Sequence, residues 1–258
     1  MIQSGLQNDP NNFETRVKAG FVGQRMIVLP KKILASIKKN SLINQLYVTD
    51  IGFFPHAKFH FRERKNGSKQ YILIYCMEGQ GVINVMDSKI ELKPNSFYII
   101  PPDIKHAYYA VQKDPWSIYW VHFTGPQSEN LFRKFKGGNM AAARFISFEE
   151  RRVNLFENLM DVLENGYSSD NIEFVNISLW QLIGSFIFNS YFTEIGKEKV
   201  EGDLITTSIK YMKEHLDEPL KVNTIASHFN YSNSHFFSLF KKKTGYSPIH
   251  YFNHLKIQ

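Results

Sequence analysis

The sequence predicts an α+β protein, with a β-rich front half folded as a sandwich or barrel, a helical middle and an all-α module behind. Three observations carry this. Between Tyr47 and Phe123, short apolar runs are cut at near-regular intervals by turn residues, the pattern of an antiparallel sandwich or barrel. Residues 147–200 change to apolar positions at helical spacing. Between Lys221 and Tyr251, two short helices flank a tight turn, with cap and stop residues in place. The expected boundaries are 1–125 for the barrel with an N-terminal arm, 126–200 for a helical region and 201–258 for the all-α module.

Composition narrows the class. A chain of 258 residues with 43% hydrophobic content, 22 Phe, 13 Tyr and 3 Trp can build two real cores, and it is not a disordered chain. Residues 201–258 carry 7 Lys+Arg against 5 Asp+Glu, so +2 of the net +7. That mild, spread basicity is a weak pointer to a polyanionic partner. The single cysteine, Cys76, excludes a disulfide framework and a cysteine-type zinc site; in its apolar run it reads as a small buried hydrophobe. No stretch approaches the ~20 apolar residues of a membrane span. The polar Met1–Thr15 lacks a signal-peptide core, so the expected location is the cytoplasm and no membrane contact is expected.

Residues 1–30 read as a loosely structured arm, rich in Gly, Asn, Asp and Pro from Gln3 to Asn12, and a short amphipathic piece follows at Lys31–Lys39. The strands come next. Gln70–Met77 is apolar and turns at Glu78-Gly79-Gln80-Gly81. Val82–Met86 turns at Asp87-Ser88, and Lys89–Leu92 at Lys93-Pro94-Asn95. Ser96–Ile100 turns at Pro101-Pro102-Asp103, and His106–Ala110 and Trp116–Phe123 complete the set. A small closed barrel leaves an interior suited to a ligand.

In the middle region, Phe148, Val153, Phe156, Leu159, Met160 and Leu163 share one helical face. Glu149-Glu150 and Arg151-Arg152 at its start read as a solvated face. After Gly166–Asp170, a second helix over Asn171–Thr193 carries the stripe Ile172, Val175, Leu179, Leu182, Ile183, Phe186 and Ile187. Such a stripe is either ordinary core or a dimer surface. Gly196 to Gly202 reads as a charged linker, and Asp203 as the N-cap of a helix through His215.

The strongest local signal is the helix-turn-helix. Val222–Phe229 is a short helix with Ile225 and Phe229 inward and the small Ala226 at the crossing; Asn230-Tyr231 turns. Ser232 caps a second helix, Asn233–Thr244, whose Phe236, Leu239 and Phe240 point inward. Gly245 stops it, and Ser247-Pro248 starts another. This unit places its second helix in a DNA major groove. Its outward residues are Asn233, Ser234, His235, Ser238, Lys241 and Lys242. The N-terminal part would meet base edges and the lysines phosphates. Lysines at a helix C-terminus also suit the macrodipole, so the triplet alone decides nothing.

The segments Ile225–Ser232 and Phe236–Pro248 resemble the first helix-turn-helix of AraC/XylS regulators. Tyr71–Tyr75 with Gly79-Gln80-Gly81, Pro101-Pro102, His106 and Asp114–Phe123 resemble that family's sensor barrel. The resemblance covers roughly residues 20–258. It implies a cupin-like jelly roll that binds a small effector, often a sugar, and apolar helices that form a homodimer. It also implies an arm, Met1–Phe21, that acts as a lid. The base-reading positions fall on Ser234, Phe237 and Ser238; Phe237 would touch a thymine methyl or be partly core. The pocket positions fall on Arg64, Tyr108, Ile118 and Trp120. Arg64 offers a hydrogen-bonding fork, Trp120 a flat stacking face and Tyr108 a donor and acceptor. Ile118 stands where a polar residue is expected, which argues against a simple arabinose-like ligand. His106 shares the strand face of Tyr108 and is a further candidate. Family modules carry two helix-turn-helices; this sequence contains the first, so weakened binding to an operator is expected.

Cupin barrels also host metal enzymes, which need convergent His and carboxylate ligands. Here His60, His106 and His122 would have to be assembled from unusual spacing, so the expectation is a non-enzyme without cofactor or metal. A ligand-binding dimer acting through protein contacts is the other alternative.

Overall fold

The computed structural model describes residues 16–137, 142–217 and 219–257. The chain divides into two compact units, Met1–Asn189 and Ser190–Gln258.

The first unit begins with β1 (Arg25–Val28), α1 (Lys31–Lys39), β2 (Tyr47–Phe54), β3 (Phe61–Arg64) and β4 (Tyr71–Glu78). It continues with β5 (Gly81–Val85), β6 (Ser88–Leu92), β7 (Ser96–Ile100), β8 (His106–Ala110) and β9 (Ser117–Thr124). Then come α2 (Ser128–Lys136), β10 (Arg144–Phe145), α3 (Glu150–Glu164) and α4 (Ser169–Ile187). The strands make two antiparallel sheets, ordered β1-β2-β9-β4-β7-β10 and β3-β8-β5-β6, which is the expected cupin-like jelly roll. Side chains alternate across each strand. One face of the larger sheet therefore lines the barrel interior, and the other is free to pack helices. Tyr75 and Phe97 meet Phe186 of α4 with ring centroids 5.2 and 5.0 Å away, and Tyr119 stacks on Phe156 of α3 at 4.9 Å. The stripe on α4 is thus barrel core: Ile172, Val175, Leu179, Leu182, Ile183 and Phe186 are buried. Cys76 is buried, and burial pushes its thiol up to about 12.

Several expectations are corrected. The arm is not wholly irregular, because β1 pairs with β2 over Arg25↔Phe53 to Val28↔Asp50. What holds it is distant: Arg25 donates to Asp161 at 2.7 Å, to Glu164 at 2.7 and 2.9 Å, and to Glu157, all on α3. Residues 1–15 of the expected arm lie outside the described residues. Arg152 is not on a solvated face. It is fully buried, with its guanidinium donating to the carbonyls of Ser147 (2.9 Å) and Ser185 (3.1 Å) and to Asn189 (2.7 Å). Ser185 and Asn189 lie more than thirty residues beyond the Glu-Glu-Arg-Arg run, so charge density alone misled. Phe148 precedes α3 and is exposed, because the helix starts only at Glu150. Helix α2 adds a short amphipathic element that the sequence reading passed over.

The second unit holds α5 (Asn189–Glu214), α6 (Val222–His228), α7 (Asn233–Thr244) and α8 (Pro248–Ile257). The expected linker over Gly196–Gly202 and the expected cap at Asp203 both fall inside α5. Lys and Glu are good helix formers, and a charged stretch of them is as compatible with a solvated helix as with a linker. Leu204, Ile205, Met212, Ile225, Ala226, Phe236, Leu239, Phe240 and Phe252 make this unit's own core. Among the described residues, no helix is long and apolar enough to cross a membrane.

Candidate functional site

Inside the barrel lies a cavity of about 230 Å³. The larger sheet supplies Asp50 and Phe54 from β2, Ile74 from β4, and Ile118, Trp120 and His122 from β9. Residues 118, 120 and 122 share one face of β9 because strand side chains alternate. The smaller sheet supplies Arg62 and Arg64, again two apart, and Tyr108. His60 lies between, and Lys18, Ala19, Met26 and Val28 close one side.

Four of the five pocket residues named from sequence, Arg64, Tyr108, Ile118 and Trp120, therefore come together. His106 does not. It faces the same way as Tyr108, and their rings are parallel with centroids 6.1 Å apart. Its Nδ1 lies 2.7 Å from the carbonyl oxygen of Ile104, which holds the ring toward the strand's start. It lines a separate, open hollow with Glu63, Asn84 and Lys105. The sequence reading missed Asp50 and Arg62 and considered His60 and His122 only as metal ligands. The period-2 rule, applied outward from Trp120 to His122 and from Arg64 to Arg62, was the signal available.

Each polar group has a local cause for its state. Arg64 donates to the Tyr108 hydroxyl at 2.9 Å. Asp50 accepts from the Thr49 hydroxyl at 2.6 Å, and its Oδ2 lies 3.4 Å from His122 Nδ1. Burial alone would raise the Asp50 carboxyl; His122, Thr49 and the charge of Arg64 outweigh it and hold it below its ordinary value. His122 is pushed down by burial, and by the positive charges of Arg64 and Arg62, despite Asp50. His60 is pushed down to about 3 by burial and by Arg62 and Arg64. Its Nδ1 accepts from Trp116 Nε1 at 3.2 Å. At neutral pH both imidazoles are uncharged. Trp120 needs Gly52 opposite it: a Cβ there would sit 2.6 Å from the indole. The indole Nε1–H itself is buried and has no acceptor among the described residues. Phe21 packs on Phe54 and His60 at 5.2 and 5.4 Å, so the described end of the arm reaches the cavity wall.

His60, His106 and His122 do not converge. Among the described residues, no cluster of three His, Cys, Asp or Glu is placed to hold a metal ion.

In the second unit, Ser232 accepts from His235 N at the start of α7, and Gly245 ends the helix with φ 77° in the left-handed region. Phe236, Leu239 and Phe240 are buried. Asn233, Ser234, His235, Ser238, Lys241 and Lys242 are all exposed, as is Phe237 at 41%. The outward face of α7 is thus polar at its start and basic at its end, with one aromatic ring between.

A family model described as the AraC-like ligand binding domain matches residues 51–183, and one for bacterial regulatory helix-turn-helix proteins of the AraC family matches residues 212–253. The MmsAB operon regulatory protein of Pseudomonas aeruginosa is 28% identical over 235 residues, 89% of this chain and 74% of that protein. The Msm operon regulatory protein of Streptococcus mutans is 23% identical over 187 residues, 70% of this chain and 65% of that one. The lactose operon transcription activator of Staphylococcus xylosus is 20% identical over 190 residues, 72% of this chain and 67% of that one. A ligand-binding barrel and a helix-turn-helix, each matched over its own part of the sequence, make this chain a member of the AraC family of DNA-binding transcription regulators.

Proposed function

We propose that this regulator responds to a small sugar-class effector held in the barrel cavity. The observation that carries the reading is the composition of the cavity wall. One flat aromatic face, Trp120, stands with hydrogen-bonding groups of both polarities, Arg64, Tyr108, Asp50 and His122. Sugars present C–H faces that stack on indoles and hydroxyls that both donate and accept. At about 230 Å³ the cavity is smaller than the ~300–1,000 Å³ of drug-sized sites, which favours a single ring. The name of the lactose operon activator is in keeping with a carbohydrate signal.

In this reading, the operator is read by α7. Ser234, Phe237 and Ser238, with Asn233 and His235, face base edges, and Lys241 and Lys242 meet phosphates. The effector shifts the population between arrangements that differ in DNA affinity. Two copies pair through the outer face of α4, where Phe174, Ile177 and Trp180 are exposed at 51, 52 and 41% on the side away from the barrel.

A ligand that binds only the folded state raises its melting temperature. The expected outcome of a thermal-shift screen against mono- and disaccharides is a concentration-dependent rise with a subset of monosaccharides, lost in Trp120→Ala. No shift with any sugar at millimolar concentration overturns the sugar assignment.

A further inference from the structure

We infer that the effector carries a negative charge: a single-ring sugar bearing a carboxylate or a phosphate ester, seated against Arg62 and Arg64. The inference rests on the sugar-class reading above and narrows it.

The cavity is lined by three cationic side chains, Lys18, Arg62 and Arg64, and by one carboxylate, Asp50. That carboxylate is already engaged by Thr49 and His122. Arg64 is bonded to Tyr108, a neutral partner. No ion pair involves Arg62 or Arg64 among the described residues. Burial pushes the two imidazoles of the wall toward their neutral form, so the positive excess resides in the guanidinium and ammonium groups.

A neutral sugar would satisfy some of this wall. It cannot neutralise two guanidiniums while displacing the water that solvates them. Burying a cation without a counter-charge is unfavourable, and an oxyanion removes that cost. The geometry suits one. Arg62 and Arg64 project from the same face of β3, and Tyr108, on the adjacent strand β8, is the cross-strand partner of Arg62. A planar carboxylate or a phosphate matches a guanidinium fork with two parallel hydrogen bonds. Trp120, in the same wall, adds an apolar face against which a sugar ring stacks. Asp50, by contrast, repels an anion and accepts from hydroxyls, so it belongs to the other end of the ring.

The test is a matched panel measured by Trp fluorescence titration and thermal shift on the full chain: glucose and galactose; glucuronate and galacturonate; and glucose 6-phosphate and galactose 1-phosphate. The expected result is that at least one acidic member binds ten-fold or more tightly than its neutral parent. The arm in which it falls decides between carboxylate and phosphate. In Arg62→Gln, which removes the charge but keeps a polar side chain, the ratio of acidic to neutral affinity should fall by ten-fold or more. Neutral sugars binding as well as their acidic counterparts overturn the charge inference and leave the sugar reading standing. Binding by no member of any arm overturns both. An acidic preference unchanged in Arg62→Gln overturns the assignment to Arg62.

Discussion

His60 is a buried base in a positively charged setting, and that makes it a stability determinant. Its ordinary value is 6.5 and its folded value about 3. Between those limits the unfolded chain takes up a proton that the folded chain refuses, so stability is lost as pH falls below about 6.5. The slope from this residue is about 1.4 kcal/mol per pH unit. Urea denaturation followed at pH 7, 6 and 5 should show the loss. His60→Gln, which can still accept from Trp116, should reduce the slope by about that amount. His122 and His106 are also pushed down by burial and add slope of the same sign, so the variant retains some pH dependence. At the residue scale, Arg64, Tyr108, Ile118 and Trp120 were legible because the family resemblance could be laid on the strands position by position. Arg62 follows from Arg64 by strand alternation, whereas Asp50 was not legible, since its charge reads locally as solvent exposure. Only the meeting of β2 with the opposite sheet across the cavity turns Asp50 inward.

At the scale of elements, the docking of β1 is the contact least visible in the sequence. The run Arg25–Val28 has four residues and no strong alternation. It is a strand because it pairs with β2, and Arg25 also reaches three acidic side chains along α3, Glu157, Asp161 and Glu164. Residues three or four apart on a helix share one face, which makes a single acidic ridge. The guanidinium is held above its ordinary value chiefly by the Glu164 hydrogen bond. Arg25 is only partly exposed, so the network should be worth more than a surface pair. Arg25→Ala should cost about 1–3 kcal/mol of stability in the first unit. Chemical denaturation measures this, with limited proteolysis reporting release of the segment. An unchanged midpoint would show that β1 is held by its ladder to β2 alone. The helix-turn-helix stands at the opposite extreme. Cap, crossing residue, turn and stop are all local, and the elements lie within a residue of where the sequence put them.

At the scale of the whole molecule, α4 has two apolar faces with different fates. The inner one is barrel core. The outer one, Phe174, Ile177 and Trp180, is uncovered in the single chain, and we propose that a second copy covers it. Ile177→Lys introduces a charge at the centre of that face without touching the buried stripe. Sedimentation velocity should show a dimer for the wild type and a monomer for the variant, with an unchanged circular dichroism spectrum. A wild-type monomer, or a variant that remains dimeric, counts against this face as the interface.

The sequence by itself determined what local chemistry determines: strand period, turn residues, caps, the stop at Gly245, and hence an α+β chain with a barrel in front and a DNA-reading unit behind. Tertiary structure decided what depends on which side of an element meets which neighbour. It buried Arg152 against Ser185 and Asn189 near the far end of α4, turned the apolar stripe of α4 into core, drew Arg25 onto α3 and moved His106 out of the chamber that holds Trp120. Periodicity states that a residue has a face. Only the packing of two sheets and a helical layer states whether that face meets protein, cavity or water, because the burial that decides it comes from contacts far apart in the chain.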